Sequence, residues 1–87
     1  MVLMKHEVLF GAQVRAGRAL LGWSQAQLSE RSGVSRSVLA KIEAGTSDSR
    51  GSTLRSLTRV LEEHGIVFVE LKNGEFGVHL KPEGEFE

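Results

Sequence analysis

The most constraining stretch of this 87-residue chain is SQAQLSERSGVSRSVLAKIEAG, which begins at Ser24 and ends at Gly45. Its pattern predicts two short helices that are joined by a tight turn. Ser24 and Gln27 have the spacing of a capping box, in which each side chain accepts a hydrogen bond from the other residue's backbone N–H. Gly33 stands where the chain must reverse, because glycine adopts a positive φ at the lowest cost. The first helix therefore has a marked start and a marked end.

The second helix repeats this pattern, with Ser35 as its cap and Gly45 just beyond its end. Apolar residues are few in the segment, and their spacing places them where the two helices would meet. These residues are Leu28, Val34, Leu39 and Ile42. We therefore expect the two helices to pack across a small common core.

The opposite face of the second helix carries small and basic side chains. They are Arg36, Ser37, Ala40, Lys41 and Ala44. Small side chains let a backbone approach base edges, and Arg and Lys can bind guanine or phosphate. An ordinary helical hairpin with a solvated basic face would share part of this pattern. Because caps, turn glycine and basic face coincide in one short stretch, the pattern favours a helix that enters the major groove of DNA.

Three short motifs in this segment keep fixed distances from one another. They are Ser24-Gln25, Gly33-Val34-Ser35 and Ile42-Glu43-x-Gly45. Flanking matches from about Val14 to Gly65 include Arg18, Gly22-Trp23, Leu28, Ser29, Leu39, Thr53-Leu54 and Leu57. With these residues the chain resembles the lambda-repressor/Cro-like family, often called the XRE family, of bacterial and phage transcriptional regulators. The resemblance implies a mainly α fold, a lambda-repressor-like helix-turn-helix bundle of four to five short helices.

The resemblance also implies roles for particular side chains. Gln25 would bind a phosphate and brace the second helix, while Arg36, Ser37 and Lys41 would read bases. Arg50 lies in a polar loop that lacks the proline often found in the family, so a phosphate contact and a free surface position both stay open for it. The complete set of expected DNA-binding residues is Gln25, Ser35, Arg36, Ser37, Ala40, Lys41 and Arg50.

Two further helices are predicted around this unit. The first runs from about Glu7 to Leu21, and Gly17 within it should loosen the helix by about 1 kcal/mol. The fourth runs from about Thr53 to His64, with Ser52 as its cap. The inward residues are Phe10, Val14, Gly17 and Leu21 in the first helix, and Leu54, Leu57, Val60 and Leu61 in the fourth, with Arg15 and Arg18 off the buried face.

After Gly65 the pattern changes from helix to strand and predicts a C-terminal β-hairpin. Asn73-Gly74 is the strongest short signal for a two-residue hairpin turn, which would set Val69 opposite Val78. In that register Ile66 and Phe68 point away from a wholly apolar face. That face consists of Val67, Val69, Leu71, Phe76, Val78 and Leu80.

The chain is therefore expected to comprise a helix-turn-helix domain over residues 1–65, a hairpin over residues 66–81 and a frayed tail over residues 82–87. Two surfaces could cover the apolar hairpin face: the helices of the same chain, or the hairpin of a second copy. The two-fold symmetry of DNA half-sites favours the second copy, so we expect the hairpin face to form a homodimer.

Charge is distributed unevenly along the chain. Residues 1–59 hold nine Lys and Arg against four Asp and Glu, a net charge of +5, whereas residues 60–87 hold two against seven, a net charge of −5. The basic part suits contact with the phosphates of double-stranded DNA. The chain has no cysteine, signal peptide or membrane-spanning run, so we expect no disulfide, no membrane partner and a cytoplasmic location.

An enzymatic function is disfavoured by the distribution of reactive side chains. The only aspartate is Asp48, and the three histidines, His6, His64 and His79, lie in separate segments without ligand spacing. We therefore expect no catalytic site, no metal and no cofactor.

The sequence thus predicts a sequence-specific DNA-binding regulator, a repressor that binds an inverted-repeat operator as a dimer. The alternative is the antitoxin of a toxin–antitoxin pair, which would repress its own operon and also bind a toxin protein. An adjacent toxin gene would favour the antitoxin. A pure interaction module without DNA binding is disfavoured by Arg36 and Lys41, and salt-dependent DNA binding would exclude it.

Overall fold

The computed structural model describes residues 3–46 and 51–82. Within these ranges the chain forms four helices followed by a two-stranded antiparallel hairpin, which confirms the predicted fold class. Arg50 and the tail from residue 83 onwards lie outside the described residues. The elements are α1 (Leu3–Leu20), α2 (Gln25–Ser32), α3 (Arg36–Glu43), α4 (Gly51–Glu63), β1 (Ile66–Glu70) and β2 (Phe76–Leu80).

The predicted caps of α2 and α3 are confirmed. The Ser24 hydroxyl accepts the N–H of Gln27 at 3.0 Å, and the Gln27 side chain accepts the N–H of Ser24 at 2.8 Å. Gly33 ends α2 with a φ of 78°, and its N–H bonds the carbonyl of Ser29. The Ser35 hydroxyl accepts the N–H of Val38 at the start of α3. Local backbone chemistry therefore fixes both helices and the turn between them.

The flanking helices differ slightly from their predicted bounds. α1 begins at Leu3, earlier than predicted, and ends at Leu20. α4 begins at Gly51, so the prediction that Ser52 caps it is wrong. Ser52 lies inside the helix, and its carbonyl accepts a hydrogen bond from the hydroxyl of Ser56, four residues on.

One apolar core joins all four helices to the hairpin. The predicted helix-turn-helix core is confirmed, and Val14 of α1, Leu57 and Leu61 of α4, and Ile66 of β1 complete it. The buried set is Val14, Leu28, Val34, Leu39, Ile42, Leu57, Leu61 and Ile66, with Phe10, Leu21, Trp23, Leu54, Val60, Phe68 and Val78 packed against it.

Two glycines let α1 approach its neighbours closely. A Cβ at Gly11 would overlap the backbone carbonyl oxygen of Ile42 in α3. A Cβ at Gly17 would lie 3.3 Å from Cγ2 of Ile66 in β1. The loosening of α1 by Gly17 stays a prediction, whereas the absence of a side chain there lets the first strand pack closely on α1.

The hairpin forms in a register that differs by one residue from the prediction. Val69 pairs with Gly77 rather than with Val78. The predicted two-residue turn needs a positive φ at both Asn73 and Gly74, but only Gly74 has one. Instead, Gly74 N–H bonds the carbonyl of Leu71 at 2.9 Å, and Leu71 N–H bonds the carbonyl of Glu75 at 2.8 Å. These bonds close a three-residue loop that ends in a left-handed glycine, and the loop sets the register.

The new register separates the residues that the sequence analysis placed on one face. Paired residues of antiparallel strands share a face, so Val67 and Val69 lie on the side of the sheet opposite to Val78. Ile66 and Phe68, predicted to point outward, share the inner face with Val78 and pack on the helices. The prediction of a single apolar face is therefore wrong for this set of residues: Val67, Val69, Leu71, Phe76, Val78 and Leu80.

The inner face of the hairpin is held on α1 of the same chain. Phe10 stacks on Phe68 with 6.3 Å between ring centroids. Nε2 of Gln13 donates to the carbonyls of Val69 at 3.1 Å and Gly77 at 2.9 Å. Because the Val69 side chain points outward and Gly77 has none, the backbone of this pair is open to the amide from the inner side. Of the two surfaces considered for covering the hairpin, the helices of the same chain cover this face.

Gly11→Ala should lower the free energy of unfolding by about 1–3 kcal/mol, because the new methyl group must displace a backbone carbonyl rather than a flexible side chain. Chemical denaturation followed by circular dichroism measures the change. Gly77→Ala is the matched control, since a Cβ there meets no atom within 4 Å, and its stability should not fall. Equal losses in both variants would contradict the close approach of α1 to α3.

Candidate nucleic-acid interface

The exposed surface of α3 brings together most of the residues predicted to bind DNA. Ser35, Arg36, Ser37, Ala40 and Lys41 are all exposed. The other side of the helix, with Leu39, Ile42 and Glu43, is buried. The exposed side of α3 carries small side chains at its centre and cationic side chains at Arg36 and Lys41. A polyanion can therefore approach it closely. We refer to Arg36, Ser37, Ala40 and Lys41 as the basic face of α3.

The turn before α3 is fixed by side-chain bonds to the backbone. The Ser29 hydroxyl donates to the carbonyl of Val34 at 2.6 Å. The Val34 N–H donates to the Ser32 hydroxyl at 3.2 Å. Val34 itself is buried in the core. The turn is therefore bonded on both sides of Gly33, which holds α3 at one angle to α2.

A buried carboxylate holds the other end of α3. Glu43, the last residue of the helix, is only 4% exposed. Its two oxygens accept Nε and Nη2 of Arg18 at 2.8 and 2.9 Å, a two-pronged ion pair. Gln25 Nε2 adds a bond of 3.0 Å to the same carboxylate. Arg15 Nη1 donates to the backbone carbonyl of Glu43 at 2.7 Å. Side chains from α1 and α2 thus converge on the C-terminus of α3.

The charge states of this pair follow from its surroundings. Burial raises the pKa of the Glu43 carboxyl, but the bonds from Arg18 and Gln25 and the charges of Arg18 and Arg15 outweigh it and hold the pKa below its ordinary value. The bond to Glu43 raises the pKa of Arg18. Both side chains are therefore ionised at neutral pH.

Gln25 is half-buried and lies between α2 and α3. The resemblance implied that it would brace the second helix, and its bond to Glu43 makes such a connection. A side-chain amide has two N–H donors, so one bond to Glu43 leaves capacity for a phosphate oxygen. The contact with phosphate stays a prediction.

Trp23, just before α2, ties that helix to the end of α4. The Arg31 guanidinium lies over its ring at 4.4 Å from the centroid, and the His64 ring meets it edge-on at 4.7 Å. Nδ1 of His64 lies 2.8 Å from the carbonyl of Val60, one helical turn earlier. His64 therefore has structural contacts just beyond the end of α4. Throughout the described ranges, no group of three or more His, Cys, Asp or Glu side chains could hold a metal ion.

The contacts made by Glu43, Arg18 and Gln13 could not be predicted from the sequence. Arg18 and Glu43 both stand among the family-like residues, but nothing in their spacing of 25 positions indicates that they meet. Their pairing depends on the crossing of α1 over α3 at Gly11. The sequence did not indicate that Gln13 contacts the hairpin, because a polar residue beside an apolar helix face usually points to solvent.

Two capped helices, a glycine turn and an exposed basic face on the second helix together define a helix-turn-helix DNA-binding domain. A family model described as helix-turn-helix matches residues 14–65, more than half of the chain. The chain belongs to this family, the lambda repressor/Cro-like or XRE type, which confirms the resemblance stated from the sequence.

The family consists of DNA-binding transcriptional regulators rather than enzymes. A comparison with curated proteins gave no match. None of the helices in residues 3–46 and 51–82 has the length and apolar character needed to cross a membrane.

Glu43→Gln should lower the free energy of unfolding by about 3 kcal/mol at neutral pH, because Arg18 would keep its charge in a largely buried site without an anionic partner. Thermal and chemical denaturation measure the change. Glu30→Gln, which removes an exposed carboxylate of α2, is the matched control and should change stability by less than about 0.5 kcal/mol.

The effect of Glu43→Gln should also depend on pH in one direction. A carboxyl group whose pKa is lowered by folding contributes stability above its ordinary value of 4.5, and this contribution is lost as the pH falls through the lowered pKa. The difference in stability between the wild-type chain and the variant should therefore shrink from about pH 5 downwards. A difference that stays constant to pH 3 would contradict the ionised pair.

Proposed function

We propose that this chain is a transcriptional repressor that binds an inverted-repeat operator in double-stranded DNA as a homodimer. The basic face of α3 carries this proposal. It is exposed, it combines cations with small side chains, and both ends of its helix are fixed by the Ser35 cap and the Glu43 carboxylate. Such a helix can enter the major groove without ordering its own backbone on binding. Occupation of a promoter would then exclude polymerase.

The proposed contacts divide into base reading and phosphate anchoring. Arg36 opens α3, and N-terminal residues of a recognition helix contact base edges. Its guanidinium matches the two acceptors of guanine. Ser37 and Lys41 would also read bases, and Ala40 would permit close approach. Gln25 and Ser35 would bind phosphates and so fix the register on DNA, as would Arg50, which lies outside the described residues.

The outer face of the hairpin supports the homodimer. Val67 and Val69 lie on this face. Because alternate residues of a strand point to the same side, Leu71 continues the face, and it is 48% exposed. Leu80 is 39% exposed at the end of β2, but it pairs with Ile66 and therefore lies on the inner side of the sheet. A single copy reads one half-site, so two copies joined here would read an inverted repeat. Of the residues first expected in the interface, Phe76, Val78 and Leu80 lie on the inner side of the sheet, and Val78 packs against the core.

Selection of bound sequences from a random DNA pool tests the proposal. We expect an inverted repeat whose half-sites are about 34 Å apart, the spacing of successive major grooves. Affinity should fall steeply as salt rises, because phosphate contacts release counterions. A pool without any enriched sequence, or binding that is indifferent to salt, would contradict a sequence-specific regulator.

Arg36→Ala should weaken binding to the selected site by about 1–3 kcal/mol and relax discrimination at one base position, because a two-pronged bond to guanine is lost. Binding titrations on the selected site and on single-base variants measure both effects. Lys72→Ala is the matched control, since it removes one positive charge from the hairpin loop and should leave base preference unchanged. An equal loss on selected and random DNA would instead make Arg36 a phosphate anchor.

Leu71→Lys should convert the dimer to a monomer and reduce affinity for the two-half-site operator, because a charge would enter an apolar interface. Sedimentation equilibrium and operator titration measure the two effects. Leu20→Lys is the matched control, because Leu20 is 47% exposed but lies at the end of α1.

Two other results would redirect this part of the proposal. If Leu20→Lys abolishes dimerisation and Leu71→Lys does not, the interface lies on α1. If the wild-type chain is monomeric, the exposed hairpin surface favours another protein as its partner, as in the antitoxin alternative.

A further inference from the structure

The outer face of the hairpin carries two rows of side chains that differ in chemistry. The row on β1 is apolar and consists of Val67, Val69 and Leu71. The row on β2 has Glu75 beside the loop and His79 and Lys81 at the far end, because alternate residues of a strand point to the same side. The Lys81 N–H bonds the carbonyl of Gly65 at 2.9 Å, so the paired register reaches this far end. We refer to the two sets as the apolar row and the charged row.

The charged row has its two signs at opposite ends. Glu75, His79 and Lys81 are all exposed. Within the described ranges, neither the Glu75 carboxylate nor the His79 ring makes a hydrogen bond or an ion pair. At the far end, α4 adds the exposed carboxylates of Glu62 and Glu63 just before β1 begins, and no ion pair joins them to His79 in that part of the chain. Four positions of a strand span about 13 Å, so Glu75 and His79 of one copy cannot reach each other.

One way of stacking two hairpins face to face suits both rows at once. A two-fold axis along the strands would lay the apolar row of one copy on the charged row of the other. A two-fold axis across the strands lays each row on its own copy and reverses the strand direction. With this axis at Val69, Leu71 of each copy meets Val67 of the other. Glu75 of each copy then meets His79 of the other, so the face is complementary to itself.

We propose that the outer faces of two hairpins pack in this antiparallel way, and that protonation of His79 strengthens the dimer by pairing it with Glu75 of the other copy. This inference rests on the proposed homodimer and adds its orientation and its regulation by pH. Symmetry forms the pair twice, once at each end of the interface. An apolar row of this size makes a small interface, so two ion pairs at its ends can change the affinity of the copies for each other.

The direction of the pH effect follows from the histidine. A histidine gains its proton near neutral pH, and association that supplies a carboxylate favours the protonated form. The dimer should therefore be tighter on the acidic side of neutrality, and the gain should be lost as the pH rises. Lys81, two positions along the same strand, keeps its positive charge throughout this range and so does not produce the change.

Sedimentation equilibrium of the whole chain without DNA tests the proposal at about pH 6 and about pH 8. For the wild-type chain, the Kd of the dimer should be about two- to tenfold lower at the lower pH, the sum of two exposed ion pairs. His79→Gln and Glu75→Gln should each abolish this difference. Glu30→Gln, the same change of an exposed carboxylate in α2, is the matched control and should keep it. His64 is present in every variant, so any contribution from it is common to all.

Exchange of the two charges tests the orientation. Glu75→Lys alone should weaken the dimer at both pH values, because it sets positive charge against the far end of the other charged row. Addition of His79→Glu to this variant places opposite charges against each other again. The double variant should dimerise about as tightly as the wild-type chain at the lower pH, and it should no longer become tighter as the pH falls.

Several results would overturn the inference. They are a dimer whose Kd does not change between the two pH values, a pH effect that persists in His79→Gln, a tighter dimer in Glu75→Gln, and a double variant no tighter than Glu75→Lys. Each of these leaves the homodimer in place and refutes only its proposed orientation or regulation. A wild-type chain that is monomeric at both pH values refutes the homodimer of the proposed function, and this inference with it.

Discussion

The carboxylate of Glu43 is the constraint on which the orientation of α3 depends. A buried charge is tolerated only when hydrogen bonds and an opposite charge replace its water, and here Arg18 and Gln25 supply both. These donors come from α1 and α2, so the requirement is met only when three helices occupy one arrangement. An apolar core alone would accept small rotations of α3. The ion pair removes this freedom and leaves the basic face of α3 with one direction.

Short-range features of the fold could be predicted from the sequence, because their causes lie within a few residues. Ser24 and Gln27 satisfy each other's backbone across three positions, and Gly33 supplies the one conformation that the turn needs. The spacing of Leu39 and Ile42, which are three positions apart and both buried in α3, reflects the helical repeat. The exposed positions of Arg36 and Lys41 follow from that repeat as well. The family pattern joined these local signals into one fold.

Long-range features could not be predicted, because their causes depend on geometry that no local pattern carries. The hairpin register depends on the backbone of Asn73. Its φ is not positive, so the two-residue turn does not form. The register therefore differs by one residue, and side chains lie on other faces of the sheet than predicted. The bond from Gln13 to Gly77 spans 64 positions.

The attachment of the hairpin through Gln13 has a consequence for how this protein can change. The amide holds backbone carbonyls, so it does not depend on which side chains the strands carry at that pair. Substitutions at the outward positions can therefore change the outer surface of the hairpin while its anchorage on α1 stays intact. In such an arrangement the outward surface can diversify without any change to the helices that carry it.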